Sequence, residues 1–96
     1  SQDIRWNAAL SLASLGSPVG RSVLIKMLDR ESLLSNVSGL SEVEIEKIMI
    51  NAAKGLALIP DPESIKILRS VAREDKSLKV RQAAIDALNS QNEKIK

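Results

Sequence analysis

The stretch Asn51–Pro62, which reads NAAKGLALIPDP, decides the fold of this 96-residue chain. Small residues open it, aliphatic residues follow, and a Pro-Asp-Pro turn precedes another apolar segment. The same order occurs earlier at residues 7–18, which read NAALSLASLGSP, and it starts again at Ala83–Ala84. A sequence motif repeated at intervals of roughly 20–50 residues is the signature of a repeat architecture. We therefore predict an all-α chain built from repeated helical hairpins.

Three copies align when Ile4, Ile48 and Val80 are placed together, with spacings of 44 and then 32 positions. In the first copy, apolar and small residues recur at helical spacing and predict one core-facing stripe. Its members are Ile4, Ala8, Ser11, Leu12 and Leu15. The equivalent positions in the later copies are Ala52 and Ala84, then Leu56 and Leu88, then Ile59 and Gln91.

Local signals mark the helix ends of the first copy. Gly16 is a natural helix terminator, and Ser17 with Pro18 predicts the start of a second helix. That helix is expected to end near Arg30. Its inward residues are predicted to be Val19, Val23, Leu24, Met27 and Leu28.

The second and third copies carry similar signals. Ser41 and Glu44 form a capping box that predicts a helix to about Ile59. Asp61 and Pro62 then open a second helix, whose buried stripe is predicted to be Ile65, Leu68, Val71 and Ala72. The third copy predicts one helix over residues 77–88, followed by a polar tail that we expect to fray.

The segment 31–40 separates the first two copies and has two interpretations. It is either an extended helix end and a loop that folds its leucines over the core, or a loop that meets a partner. The first is favoured, because insertions in repeat arrays map to loops and only some of these bind. The predicted division is therefore repeats at about 3–30, 41–75 and 77–90, an insert at 31–40 and a tail at 90–96. We expect the chain to be a fragment or the C-terminal end of a longer array.

The composition excludes several functions. The chain has no Cys and no His, which removes the disulfide framework, the usual metal ligands and the usual general base. Neither catalysis nor a cofactor is expected. No apolar run reaches the roughly 18–20 residues of a membrane span, and a cytoplasmic location is predicted. A net charge of +2 is too small to argue for nucleic acid by itself.

The repeated motif resembles the first helix of HEAT repeats, most closely the short kind called PBS-lyase HEAT-like. The resemblance rests on Ile4–Arg5 with its following alanines, on Val80–Arg81 with Ala83 and Ala84, and on Asp61–Pro62–Glu63 opening the second helix. It implies a right-handed stack of hairpins with second helices on the concave face. It is specific for fold and unspecific for function. Met49 departs from the pattern, since Arg5 and Arg81 stand at the equivalent positions.

Two surfaces are predicted to bind a partner. The first is the N-terminal end, where Trp6 and Leu10 lie opposite the core stripe and would be covered by preceding repeats, a second copy or a partner. The alternative is that Trp6 packs into the chain's own core through a shifted helix phase. The second surface is a basic strip on the second helices, formed by Arg21, Lys26, Lys66, Arg69 and Arg73.

The basic strip has a simpler interpretation as a solvated face laced with ion pairs. Arg21 could also extend its stem across the core edge, since Ile65 stands at the equivalent place. Arg5 with Asp3, and Arg81 with Asp75, are expected to form ion pairs between repeats. The leading prediction is a non-enzymatic protein-interaction module or scaffold piece. The alternative is an anion or nucleic-acid binder, although the lack of interleaved aromatic residues argues against single-stranded nucleic acid.

Overall fold

The structure is a computed structural model that describes the backbone of residues 2–37 and 39–95, and the side chains of 4–35, 37 and 39–91. The described residues form six α-helices and one 3₁₀ turn at Pro18–Gly20, with no β-strand among them. The helices are α1 (Gln2–Ser14), α2 (Arg21–Met27), α3 (Arg30–Asn36), α4 (Glu42–Leu56), α5 (Pro62–Glu74) and α6 (Leu78–Ile95). The all-α prediction is confirmed.

Helix ends follow the local chemistry of the sequence. Gly16 has a φ of 77°, a left-handed conformation in which a side chain would be strained, and it ends α1. The Ser41 hydroxyl accepts the Glu44 backbone N–H while the Glu44 carboxylate accepts the Ser41 N–H, so the predicted capping box is present. Asp61 caps α5 by accepting the Ser64 backbone N–H at 2.8 Å, with Pro62 at the first helical position.

The segment after α2 differs from the prediction. The second helix ends at Met27, and Arg30 begins the separate short helix α3, whose cap is Asp29. Leu33 is buried and Leu40 packs partly against the core, whereas Leu34 is exposed. The insert therefore covers the core with some of its leucines, as the favoured interpretation held, but as a helix with its own cap.

The core is aliphatic and continuous. Helix α6 packs against both α4 and α5, and α2 packs against α1 and α4. The fully buried side chains come from every repeat and include Leu24, Met27, Ile45, Met49, Leu56, Leu68 and Val80. Alanines at positions 9, 13, 52, 53 and 84 are also buried and let the helices approach closely.

The prediction that the helix of the third copy ends at residue 88 is wrong. Helix α6 continues to Ile95, and Gln91 is only 1% exposed. Its amide Nε2 donates to the Leu56 carbonyl oxygen at 2.8 Å. A polar residue can extend a helix along the core when its polar group finds an acceptor there, because the hydrogen bond offsets the cost of desolvation.

Candidate interaction surfaces

The repeat stripe faces the preceding repeat in the second copy. Gly55 lies in the middle of the α4 stripe, one turn after Ala52, and a Cβ at this position would lie 3.1 Å from Leu10 Cδ2 and 3.1 Å from Leu24 Cδ1. Both leucines belong to the first hairpin. Ala52, Leu56 and Ile59 on the same stripe are buried.

The third copy repeats this arrangement. Val80 and Ala84 are fully buried, and Leu88 packs partly against the core. Gln91, at the last stripe position, contacts the carbonyl oxygens of Leu56 and Ile59 at 2.8 and 3.5 Å. Both acceptors belong to the second copy, so each stripe is covered by the hairpin before it.

The first copy carries the same stripe without a cover. Ile4 is 71% exposed and Leu15 is 82% exposed, while Ala8 and Ser11 are also exposed and Leu12 is half-buried. Val19, in the 3₁₀ turn that follows, is 76% exposed. The prediction that this stripe and Val19 point into the core is therefore wrong. The stripe pattern is real, but in this chain no hairpin lies against it.

Helix α1 packs through a different face. Ala9 and Ala13 are buried, and Trp6 and Leu10 are half-buried against the core. A Cβ at Gly20 would lie 2.8 Å from Ala9 Cα, so this face closes tightly on the start of the second helix. The shifted helix phase, one of the two alternatives for Trp6, is what the structure has. The exposed centre of the N-terminal end is therefore Leu15 and its neighbours rather than Trp6.

The predicted basic strip is divided. Arg21 Nη1 donates to Asp61 Oδ2 at 2.7 Å, which links the two hairpins at the start of their second helices. Burial raises the pKa of the Asp61 carboxyl, but hydrogen bonds from Ser64 and Arg21 outweigh it and hold the pKa below its ordinary value. The Arg21 guanidinium therefore forms an ion pair within the chain.

Lys26 lies in a different place from the other cations. It borders an open groove of about 380 Å³ between α2 and α5, together with Ile25, Ile67, Val71 and Glu74. Lys66, Arg69 and Arg73 are exposed and follow the spacing i, i+3 and i+7, which puts them on one face of α5. None of these three lines the groove. The residues predicted as one strip therefore fall on separate surfaces.

A second ion-pair network ties the first residue of α3 to α4 and to the end of α5. Arg30 binds both carboxylate oxygens of Asp75, from Nε at 3.2 Å and from Nη2 at 2.9 Å, and also contacts Glu42 at 3.1 Å. Burial raises the pKa of the Asp75 carboxyl. Hydrogen bonds from Arg30 and the Ser77 N–H lower it by more, so the pKa lies below its ordinary value. Asp75 is paired with Arg30 rather than with Arg81 as predicted. The side chain of Asp3, the expected partner of Arg5, lies outside the described residues.

The hydroxyl of Ser77 has a structural role. Ser77 Oγ donates to Glu46 Oε2 and accepts the Val80 backbone N–H, which makes it the cap of α6. Among the residues the structure describes, no group of three His, Cys, Asp or Glu side chains could hold a metal ion. No helix in the described part of the chain has the length and apolarity that crossing a bilayer requires.

Successive helical hairpins that share one template and cover one another define an α-helical repeat protein. A family model described as HEAT repeats matches residues 38–94, more than half of the chain. A second model, described as PBS lyase HEAT-like repeat, matches residues 4–30. The chain belongs to the HEAT-repeat family. Repeats of this family generally mediate protein–protein interaction, and they are generally non-catalytic scaffolds. No curated protein and no solved structure matches the chain.

Proposed function

We propose that this chain is a non-enzymatic scaffold unit whose N-terminal end packs against a further helical hairpin of the same repeat type. One observation supports this proposal above the others. The stripe that is covered by the preceding hairpin in the second and third copies is exposed in the first, at Ile4, Ala8 and Leu15. The same stripe occurs at three equivalent places, and at two of them it packs against the preceding hairpin. We therefore expect a hairpin to pack against the third.

The energetics favour a cover on this face. Fully burying an aliphatic side chain contributes about 1.5–3 kcal/mol, and Ile4, Leu15 and Val19 are each more than two-thirds exposed. The cost of association consumes part of this gain, so three side chains alone support a contact within one polypeptide or a weak contact between molecules. A hairpin earlier in a longer array, a second copy of the chain and a separate helical protein are the possible sources.

The chemistry of the occupant follows from the covered copies. Leu10 and Leu24 cover the second stripe at Gly55. The first stripe has Ser11 at the position of Gly55 and Ala8 at the position of Ala52, so it is also flat in its middle. We expect branched aliphatic side chains from two adjacent helices to pack there.

Site-specific photocrosslinking tests this proposal in cells that produce the protein. A photoreactive amino acid replaces Leu15 in one variant and Leu78 in the control. These leucines are 82% and 74% exposed, the first directly after α1 and the second at the start of α6. We expect a discrete adduct from position 15, in which mass spectrometry locates the crosslink on a helix of another repeat, and no such adduct from position 78. Equal crosslinking at both positions, or none at position 15, would reject the proposal.

The exposed cations of α5 support a second candidate, anion or nucleic-acid binding. Lys66, Arg69 and Arg73 share one helix face, and none of them belongs to an ion pair among the described residues. If this face binds a phosphate backbone, the affinity for DNA or RNA must fall steeply with salt. Fluorescence anisotropy with labelled oligonucleotides at about 20 mM and about 200 mM salt measures this dependence. No binding at the lower salt concentration removes this candidate.

A further inference from the structure

The outer surface of α4 and α6 carries a groove that neither predicted surface includes. It has a volume of about 560 Å³, within the range of ligand-binding clefts. Ile50, Ala57 and Leu58 border it from α4 and its end, and Ala83 and Ala87 border it from α6. Ala57 and Ala87 are buried, Ile50 and Ala83 are half-buried, and Leu58 is exposed. The groove is therefore apolar, and the small side chains of its alanines form its floor.

The groove has the length of a short helix. Its α6 side runs from Lys79 to Ser90, which at 1.5 Å per residue is about 16 Å or three helical turns. Helices α4 and α6 pack side by side. A third helix packs naturally over the seam between two others, because its side chains enter the depression between their ridges.

The rim of the groove is charged unevenly. Lys54 and Lys79 are exposed and belong to no ion pair among the residues with described side chains. The carboxylate on the rim, Asp86, accepts a hydrogen bond from Gln82 Nε2 at 2.9 Å. Two unpaired cations beside one hydrogen-bonded carboxylate leave the rim with a net positive charge.

The geometry points to docking of an amphipathic helix from a partner protein, with aliphatic residues over the alanines and an acidic residue beside Lys79. Such a helix presents its anchors at i, i+3 or i+4, and i+7, which is the usual form of helix-in-groove recognition. The α6 end at Lys79 is the favoured position for the acidic residue, because Asp86 lies farther along and would repel it. This surface is distinct from the N-terminal end, so the two proposals stand independently.

A display library of helix-stabilised 14-residue peptides, a length of about four turns, tests the inference on the whole chain. We expect the enriched peptides to carry aliphatic residues at helical spacing and Asp or Glu toward one end. A library that yields no enriched peptide, or peptides without an acidic residue, would overturn the inference.

Variants of the chain then locate the peptide. Ala83→Phe fills the groove and is expected to weaken binding about tenfold or more, since a well-packed centre carries most of the affinity. Lys79→Glu changes an exposed residue and should weaken binding roughly fivefold at low salt, with a smaller loss at high salt. Circular dichroism confirms that each variant is folded.

Two controls make the result specific. Lys47→Glu reverses the charge at the α4 position equivalent to Lys79, outside the groove, and should leave affinity within about twofold. Leu15→Glu alters the N-terminal end and should also leave peptide binding unchanged. If Lys79→Glu has no larger effect than Lys47→Glu, or if Ala83→Phe binds like the unmodified chain, the peptide docks elsewhere and the inference is wrong.

Discussion

The side-chain amide of Gln91 donates to the main-chain carbonyl oxygen of Leu56 at 2.8 Å, which joins the C-terminal part of α6 to the last residue of α4. The same carbonyl oxygen also accepts the Ile59 backbone N–H at 3.0 Å. The other polar atom of the Gln91 amide, Oε1, is buried and has no hydrogen-bond partner among the residues whose side chains the structure describes. Gln91 therefore contributes packing and one hydrogen bond, and its own oxygen offsets part of that gain.

This balance predicts different results for two substitutions of Gln91. Gln91→Ala should lower the free energy of unfolding by about 2 kcal/mol, because it leaves a cavity in the core. Gln91→Met keeps the volume and removes the unpaired oxygen, while Leu56 keeps its bond from Ile59, so the change should be below about 1 kcal/mol. Urea denaturation followed by circular dichroism measures both. Equal losses for the two variants would show that the hydrogen bond, rather than packing, is the main contribution.

Two glycines should respond differently to alanine. A Cβ at Gly20 would lie 2.8 Å from Ala9 Cα and 2.9 Å from Ala9 Cβ, so the two segments would have to separate. We expect Gly20→Ala to cost about 2 kcal/mol. At Gly55 the nearest atoms are the ends of two leucine side chains at 3.1 Å, and the gain in helix propensity of about 1 kcal/mol offsets their displacement. Thermal unfolding of both variants compares them, and a larger loss for Gly55→Ala would contradict the packing described for α1.

The bidentate pair of Arg30 and Asp75 should contribute measurably to stability. The two side chains are 13% and 7% exposed, so removing one leaves the other nearly buried without its partner. Arg30→Ala should cost about 2 kcal/mol, and Arg30→Lys should recover only part of this, since an ammonium group cannot form both bonds in the same geometry. Lys76→Ala is the matched control, because its pair with Glu42 is exposed and should contribute less than about 1 kcal/mol. A control loss as large as that of Arg30→Ala would contradict this assignment.

Stability should fall in acid through Asp61 and Asp75. Both carboxyl groups have a net pKa below the ordinary value in the folded state. Their contribution is therefore fully present above the unfolded pKa of about 3.9 and is lost as the pH falls through the lower folded pKa. With no His in the sequence, we expect little change between about pH 5 and 7 and a decline below about pH 4. The Asp75→Asn variant should show a shallower decline in a pH series of urea titrations, and an unchanged slope would show that this carboxyl titrates normally.

Helix positions and caps could be predicted from the sequence because their signals are local. The Ser41–Glu44 capping box and the Asp61–Pro62 helix start involve residues at most three positions apart, and each appears in the structure. The repeat alignment could also be predicted, because equivalent positions carry similar residues whatever covers them.

The burial of α1 could not be predicted in the same way. Its stripe has the right spacing for a core face, yet the covered face depends on which elements lie beside the helix. The ion pair of Arg21 with Asp61 joins residues 40 positions apart, so no local sequence pattern predicts it. The sequence predicts Gln91 to be a surface residue, because its acceptor at the end of α4 is distant in the chain. The groove between α4 and α6 had one available signal, the apolar residues Ile50 and Ala57 at helical spacing on the side opposite the repeat stripe.

The central claim is that equivalent stripe positions are covered in the later copies and open in the first. The unfolding free energies of Leu15→Ala and Ile59→Ala test it most directly, because these residues share one template position and are 82% and 6% exposed. We predict a loss of about 2–4 kcal/mol for Ile59→Ala and of at most about 0.5 kcal/mol for Leu15→Ala. A loss for Leu15→Ala as large as that for Ile59→Ala would mean that the first stripe is already covered, and it would contradict the claim.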